Sequence, residues 1–163
     1  RISGLSSRTA LENFNFTHGM FIAVHASIVF MKLYHASKRK LTTLTRQQPG
    51  APVGFSVPES ELQNKIYFTP HLGFALAMAA GPDGITSLEA GTISFENAAA
   101  FDTAQPIYVY EIDANNVQSE LLEKVDDEQY ALDVDEIVPD ARHEYVAADV
   151  FSYYRQVPWH PPA

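Results

Sequence analysis

The sequence predicts an α+β fold, on three observations. Short β-branched and aromatic runs recur along the chain, one dominant helix interrupts them, and no regular strand–helix alternation of the parallel-sheet kind runs through it. The 163 residues suffice for one domain with a core of its own, and 46% apolar against 19% charged residues lies in the globular range.

The elements follow in chain order. Residues 1–19 are polar and irregular, and residues 20–30 are apolar enough to be a strand that needs burial. Residues 1–30 are therefore set apart as an N-terminal extension, its relation to the rest left open, and residues 31–163 as the domain. MKLYHAS (Met31–Ser37) reads as a short strand running into a polar turn. Residues 38–58 hold Thr42, Thr43, Thr45 and Ser56 with three prolines and two glycines, a loop composition. An irregular loop of that length in a compact domain is more often functional than idle.

KIYFT (Lys65–Thr69) is a second strand. Thr69 at N-cap and Pro70 at the first helical position predict a helix through HLGFALAMAA, ended by Gly81-Pro82. Leu72, Ala75, Leu76, Met78 and Ala79 form its packed face. Thr92–Phe95 is a strand, and QPIYVYEI (Gln105–Ile112) is the clearest one, with strict alternation. Val117–Lys124 reads as a short helix or a strand end. YVAADVFSYY (Tyr145–Tyr154) reads as a late strand, and VPWHPPA as an extended tail.

Composition removes several functions. The chain has no cysteine, so disulfides and thiolate metal sites are excluded. The histidines have no metal-ligand spacing with carboxylates, so no metal is expected. Neither glycine-rich phosphate loop occurs, nor a GxSxG nucleophile elbow. The acids around Asp126–Glu136 lack the glycine and final glutamate of a calcium loop and read as solvated surface. The longest apolar stretch, Met20–Met31, is too short to span a bilayer and carries His25, so the expectation is a soluble, cytoplasmic chain without a membrane partner.

Net charge is −9 and unevenly spread. Between residues 31 and 65, Lys32, Lys38, Arg39, Lys40, Arg46 and Lys65 face only Glu59 and Glu61, while thirteen acids from Glu111 to Asp149 face Lys124 and Arg142. The acidic whole disfavours a nucleic-acid partner, whereas the basic first third suits a small anion such as a dinucleotide pyrophosphate.

Two residues stand out. His35 ends a strand and is followed by small Ala36 and Ser37, which let a ligand approach the backbone. Tyr67 lies one strand residue before a turn that opens a helix. With Phe68 turned to the core, Tyr67 and Thr69 face the other way, where an aromatic ring can stack on a flat heterocycle.

The order YHAS, a long Pro-rich loop, IYFT running into HLGFALAMAAGP, and later PIYVYEID resembles the ADP-ribosyltransferase-like superfamily over roughly residues 31–155. It is most similar to the small bacterial rifamycin-type ADP-ribosyltransferases and more loosely to the RNA 2′-phosphotransferases. The resemblance implies split antiparallel or mixed β-sheets with a dominant helix after the second motif strand. It implies an enzyme that uses NAD as substrate, cleaves the nicotinamide–ribose bond and passes ADP-ribose to an unknown acceptor, a protein or a small molecule. The role would be that of a toxin or a resistance factor.

By the same resemblance His35 and Tyr67 are catalytic. His35 holds the ribose and amide side of NAD, and Tyr67 packs on the nicotinamide. Ser37 is the small hydroxyl that supports the first strand, and Phe74 and Ala77 back the pocket from the helix. The NAD-contacting set is His35, Ala36, Ser37, Tyr67, Thr69 and Phe74. The third position is open among Glu120, taken first, Glu111, and their neighbours Asp113 and Gln118. A carboxylate there would steady the cation that develops on the sugar.

Two alternatives stay on the page: an inactive nucleotide-binding or protein-docking module, and a 2′-phosphotransferase-like enzyme. The geometric expectation is that the His35 and Tyr67 rings line one cleft on neighbouring strands. Rings on opposite faces, or both buried, would remove that basis.

Overall fold

The computed structural model describes residues 30–46 and 63–161. The expected strand over 20–30, but for its last residue, and residues 47–58 of the expected loop 38–58 lie outside them, while the described part of that loop holds a two-residue strand at Leu44–Thr45. The described residues form a mixed α+β fold made mostly of small sheets. Among them no helix is long and apolar enough to cross a membrane.

The central sheet has three antiparallel strands in the order β1–β6–β10. These are β1 (Lys32–Ser37), β6 (Pro106–Asp113) and β10 (Ala141–Val146). β6 alternates strictly, so it presents Ile107, Val109 and Glu111 to one side and Tyr108, Tyr110 and Ile112 to the other. Its register with β1 (His35 opposite Tyr110) and β10 (Arg142 opposite Tyr110) carries the two faces across the whole sheet.

The first face carries Tyr34, Ala36, Ile107, Val109 and Tyr145. It packs under α1 (Leu72–Ala80) and the 3₁₀ turn Ala147–Ser152, with Leu76, Ala77, Ala80, Ile93, Phe95 and Val150. The strands β4 (Thr86–Glu89) and β5 (Thr92–Phe95) form a hairpin beside it. Gly91, at the two-residue turn, takes φ +73°, a conformation glycine adopts without penalty. β11 (Arg155–Gln156) joins β5 in parallel.

The second face carries Leu33, Tyr108, Tyr110 and Ile112. It packs against a second three-stranded sheet of β3 (Ile66–Phe68), β8 (Tyr130–Leu132) and β7 (Leu122–Lys124), through Ile66, Phe68 and Leu132. The pair β2 (Leu44–Thr45) and β9 (Glu136–Ile137) closes one side, with Leu44 buried.

Three expectations are corrected. The helix begins at Leu72 with His71 as N-cap, two residues later than the Thr69-Pro70 signal predicts. Thr69 is held instead by paired backbone bonds to Tyr34 (2.8 and 2.9 Å), and its hydroxyl accepts the His71 N–H at 3.1 Å. The buried helix face includes Ala77 and Ala80, while Met78 is 57% exposed. The late strand over 145–154 is two elements, a strand ending at Val146 and a 3₁₀ turn. Asp149 causes the break, because its carboxylate accepts the Val146 N–H at 2.9 Å and caps the turn.

The segregated charges meet in space. Arg46 reaches Asp133 (2.7 Å) and Asp135 (2.9 Å), Lys65 reaches Glu123 (2.8 Å), and Lys32 reaches Glu111 (2.8 Å). Four acids of the acidic stretch are thus partners of the basic first third, three of them at the surface, and the acids from Asp126 to Glu136 are exposed as expected.

Candidate functional site

Among the described residues one main-chain bridge joins β1 to the end of the β3 segment. Tyr34 and Thr69 exchange both backbone bonds, and the strands then part. In an antiparallel ladder the next exchanging pair would be Ala36 with Tyr67. That pair is not made; the His35 imidazole takes its place, with Nδ1 2.9 Å from the Tyr67 carbonyl oxygen. Strand alternation turns the Ala36 N–H and C=O away from β6, toward this gap. A fork between the two sheets results, with a backbone donor and acceptor on its β1 side.

The carbonyl can only accept, so Nδ1 carries the proton. Burial pushes the His35 imidazole below the ordinary histidine value, the backbone bond opposing this only in part, so the ring is neutral at physiological pH. Nε2 is then an unprotonated acceptor. The ring sits edge-on to Phe68 (6.0 Å between centroids) and tilted against Tyr110 (6.4 Å).

His35 and Tyr67 are neighbours, but not in the expected way. The imidazole contacts the tyrosine's main chain. Along β3, Ile66 and Phe68 face the second core, so Tyr67 leaves the opposite face, beside Ala131 and Glu123, and its hydroxyl donates to the Gln63 carbonyl at 3.1 Å. The two rings therefore lie on opposite faces and do not line one cleft, so the geometric expectation that joined them fails. Thr69 is buried at the fork's closed end. Ser37 lies on the His35 face, and its hydroxyl accepts the Arg39 N–H at 3.0 Å. Phe74 is half-buried in α1, on the far side of the central sheet.

The acids separate sharply. Glu111 is on the face away from His35, opposite Tyr34. Lys32 (2.8 Å) and His143 (3.2 Å) bind it, and the Lys32 hydrogen bond, with that of His143, holds its carboxyl below the usual range. Glu120 is exposed on the 3₁₀ turn before β7, its carboxylate accepting from Ser119 at 3.4 Å. Glu111 is thus turned away from the imidazole, and Glu120 stands at the margin of the second sheet.

The acid on that side is Glu144, which sequence analysis did not single out. Ser37, Tyr108 and Glu144 are directly opposed across β1, β6 and β10, one row from His35, Tyr110 and Arg142. Glu144 is exposed and shared between Lys40 (3.5 Å) and Arg142 (3.6 Å). Lys40 also stands 6.0 Å over the Tyr108 ring. Only the pairing of β10 with β6 discloses this acid; it lies in a segment, Ala141–Val146, where Arg142, His143 and Glu144 in succession hide the alternation. Among the described residues no three His, Cys, Asp or Glu side chains gather as a metal site. Comparison with known protein families, curated proteins and solved structures finds no match for this chain.

Proposed function

We propose that the fork is an NAD site and the protein an ADP-ribosyltransferase that cleaves the nicotinamide–ribose bond. The observation that carries the reading is the gap at Ala36. A main-chain N–H and C=O side by side complement a planar carboxamide, which offers one acceptor and one donor. Neutral His35, accepting at Nε2, suits a ribose hydroxyl. Tyr67 contributes its carbonyl, which holds the imidazole, and not its ring. The motif order that resembles the superfamily supports the same assignment.

In this reading the C1′–N bond breaks with both electrons passing to nicotinamide, which departs neutral. A carboxylate steadies the cation left on the sugar, and the candidate is Glu144, on the imidazole's face of the sheet but on β10, two strands from His35. The acceptor, a protein side chain or a small molecule, then bonds to C1′ and gives up a proton. The fork's fixed groups hold the dinucleotide so that the acceptor's approach is unimolecular in character.

The test is chromatographic detection of nicotinamide released from NAD, with binding followed by calorimetry. Glu144→Gln should lower release by about a hundredfold or more, with NAD still bound. Glu111→Gln and Glu120→Gln, the acids the sequence favoured, should stay near the unsubstituted rate. No release from the unsubstituted protein, or release indifferent to Glu144→Gln, overturns the enzymatic reading. Binding without turnover would favour a nucleotide-binding module on the same scaffold, a second reading that the separation of the two rings favours.

A further inference from the structure

β10 stands last in the central sheet, and its middle residues Arg142, His143 and Glu144 are exposed. The Ala147 N–H bonds the Gln105 carbonyl at 2.9 Å, in register with the rest of the strand pair. Alternation then turns the main chain of Ala141, His143 and Tyr145 toward β6, and that of Arg142 and Glu144 outward. Among the described residues no group bonds the outward N–H and C=O of Arg142 and Glu144. The open stretch is bounded on both sides. The Asp140 N–H is on the Glu111 carbonyl at 2.8 Å, and the Val146 N–H is on the Asp149 carboxylate at 2.9 Å. No proline and no positive φ interrupts Ala141–Val146. Charges on a sheet edge ordinarily guard it against pairing. Here the two outward residues carry opposite signs, which makes the edge complementary to itself. Two copies laid antiparallel about a two-fold at His143 set Arg142 of each against Glu144 of the other. The neighbouring registers, centred on Arg142 or on Glu144, set like charges face to face, which destabilises them.

We propose that the outer edge of β10 pairs with β10 of a second copy of this chain, antiparallel about His143, so that the central sheets of the two copies become one. Each Arg142–Glu144 pair across the seam exchanges both main-chain bonds and places a guanidinium beside a carboxylate. Within one chain the same groups are loosely held: Arg142 is 3.6 Å from Glu144 and Lys40 is 3.5 Å from it, all three at the surface. They can therefore re-pair across the seam without breaking a close contact. The ladder stops at Asp140 and Val146, so the interface is small and the association weak. The proposal goes beyond the NAD reading and does not rest on it; its readout is association, not turnover. Glu144 serves one partner at a time, and the unpaired chain is the form in which its carboxylate would face a ligand.

The experiment is analytical ultracentrifugation of the full chain. The unsubstituted protein should show a monomer–dimer equilibrium between micromolar concentration and about 1 mM. Arg142→Glu and Glu144→Arg should each weaken it by about tenfold or more, because both cross-seam contacts become repulsive. An equimolar mixture of these two variants should dimerise again, since every glutamate then meets an arginine. A second measurement uses the absence of cysteine from the chain. His143→Cys puts two thiols directly opposite each other at the two-fold, and mild oxidation should link two copies through a disulfide. Ala141→Cys, whose counterpart in this register lies roughly 14 Å away, should not cross-link. A chain that stays monomeric to about 1 mM overturns the proposal, whether the edge is then bare or met by a strand of another protein. So does a dimer indifferent to the charge reversals, a mixture that fails to re-form it, or cross-linking that is as ready at position 141 as at 143. If a charge-reversed variant does not fold, the cysteine pair decides alone.

Discussion

The two faces of the central sheet are built from the same three strands and differ in almost everything else. Under α1 the face is apolar and closed, with Ile107, Val109, Phe95 and Val150 fully buried and Phe101 stacked on Phe95 at 4.7 Å. On the other face a comparable apolar base of Leu33, Tyr110 and Ile112 gives way, toward the end of β1, to His35, Ser37, Tyr108 and Glu144. The polar groups there are partnered one by one: imidazole to carbonyl, hydroxyl to amide, phenol to both ends of a turn. Buried polar groups are tolerated only when satisfied, so the second face spends its hydrogen bonds on fixing a shape, while the first, apart from Glu111 with Lys32 and His143, contributes stability through buried area.

That contrast can be broken at its strongest point first. Phe95→Ala on the closed face should cost about 3–5 kcal/mol, because the lost transfer energy is joined by a cavity beside Phe101. Urea unfolding would measure it, and a cost below about 1 kcal/mol would show that the closed face does not carry the stability. A smaller effect is expected at the seam. Asp149→Ala removes the cap that turns the chain out of β10 and should cost about 1 kcal/mol. The same unfolding assay reads it, and a neutral outcome would mean that burial of Ala147 and Val150 suffices to form the turn.

The third prediction is a pH dependence on the polar face. His35 is held neutral by burial, its value in the folded state lying below the ordinary 6.5. The unfolded chain therefore binds the extra proton first as pH falls. Stability from this group is fully present above about 6.5, declines as pH drops below it, and levels off beneath the folded-state value. His35→Gln keeps a donor for the Tyr67 carbonyl but does not titrate. The stability difference between the unsubstituted protein and His35→Gln should shrink as pH falls from 7 toward 5. A pH-independent difference would mean that the imidazole is solvated and the fork open to water on that side.

Several elements were legible in the residues. β5 occupies the expected Thr92–Phe95, β6 is shifted by one residue, and the helix stops where Gly81-Pro82 predicts. Gly81 also admits the Thr86 side chain, which an added Cβ would strike. The helix face was less legible, because nearly every position from Leu72 to Ala80 is apolar and periodicity cannot rank them. Short strands such as β2, β8 and β9 carry two or three residues each, too few for alternation to register. The neighbourhood of His35 and Tyr67 was legible as sequence order. The direction of the tyrosine ring relative to the imidazole was not, since it depends on a register set by a single bridge between Tyr34 and Thr69.

By itself the sequence determined the composition of the parts: an apolar β6, an alanine-rich helix, a histidine followed by two small residues, and two oppositely charged stretches. Those follow from side-chain chemistry and from periods of two and about four residues, which are local. The tertiary structure alone decided that β1 and β3 part after one bridge, that the imidazole fills the missing ladder bond, and that Glu144 rather than Glu111 shares its face of the sheet. Pairing between strands distant in sequence, such as Lys32 with Asp113, chooses among those outcomes, and a shift of one residue in that pairing would exchange the faces.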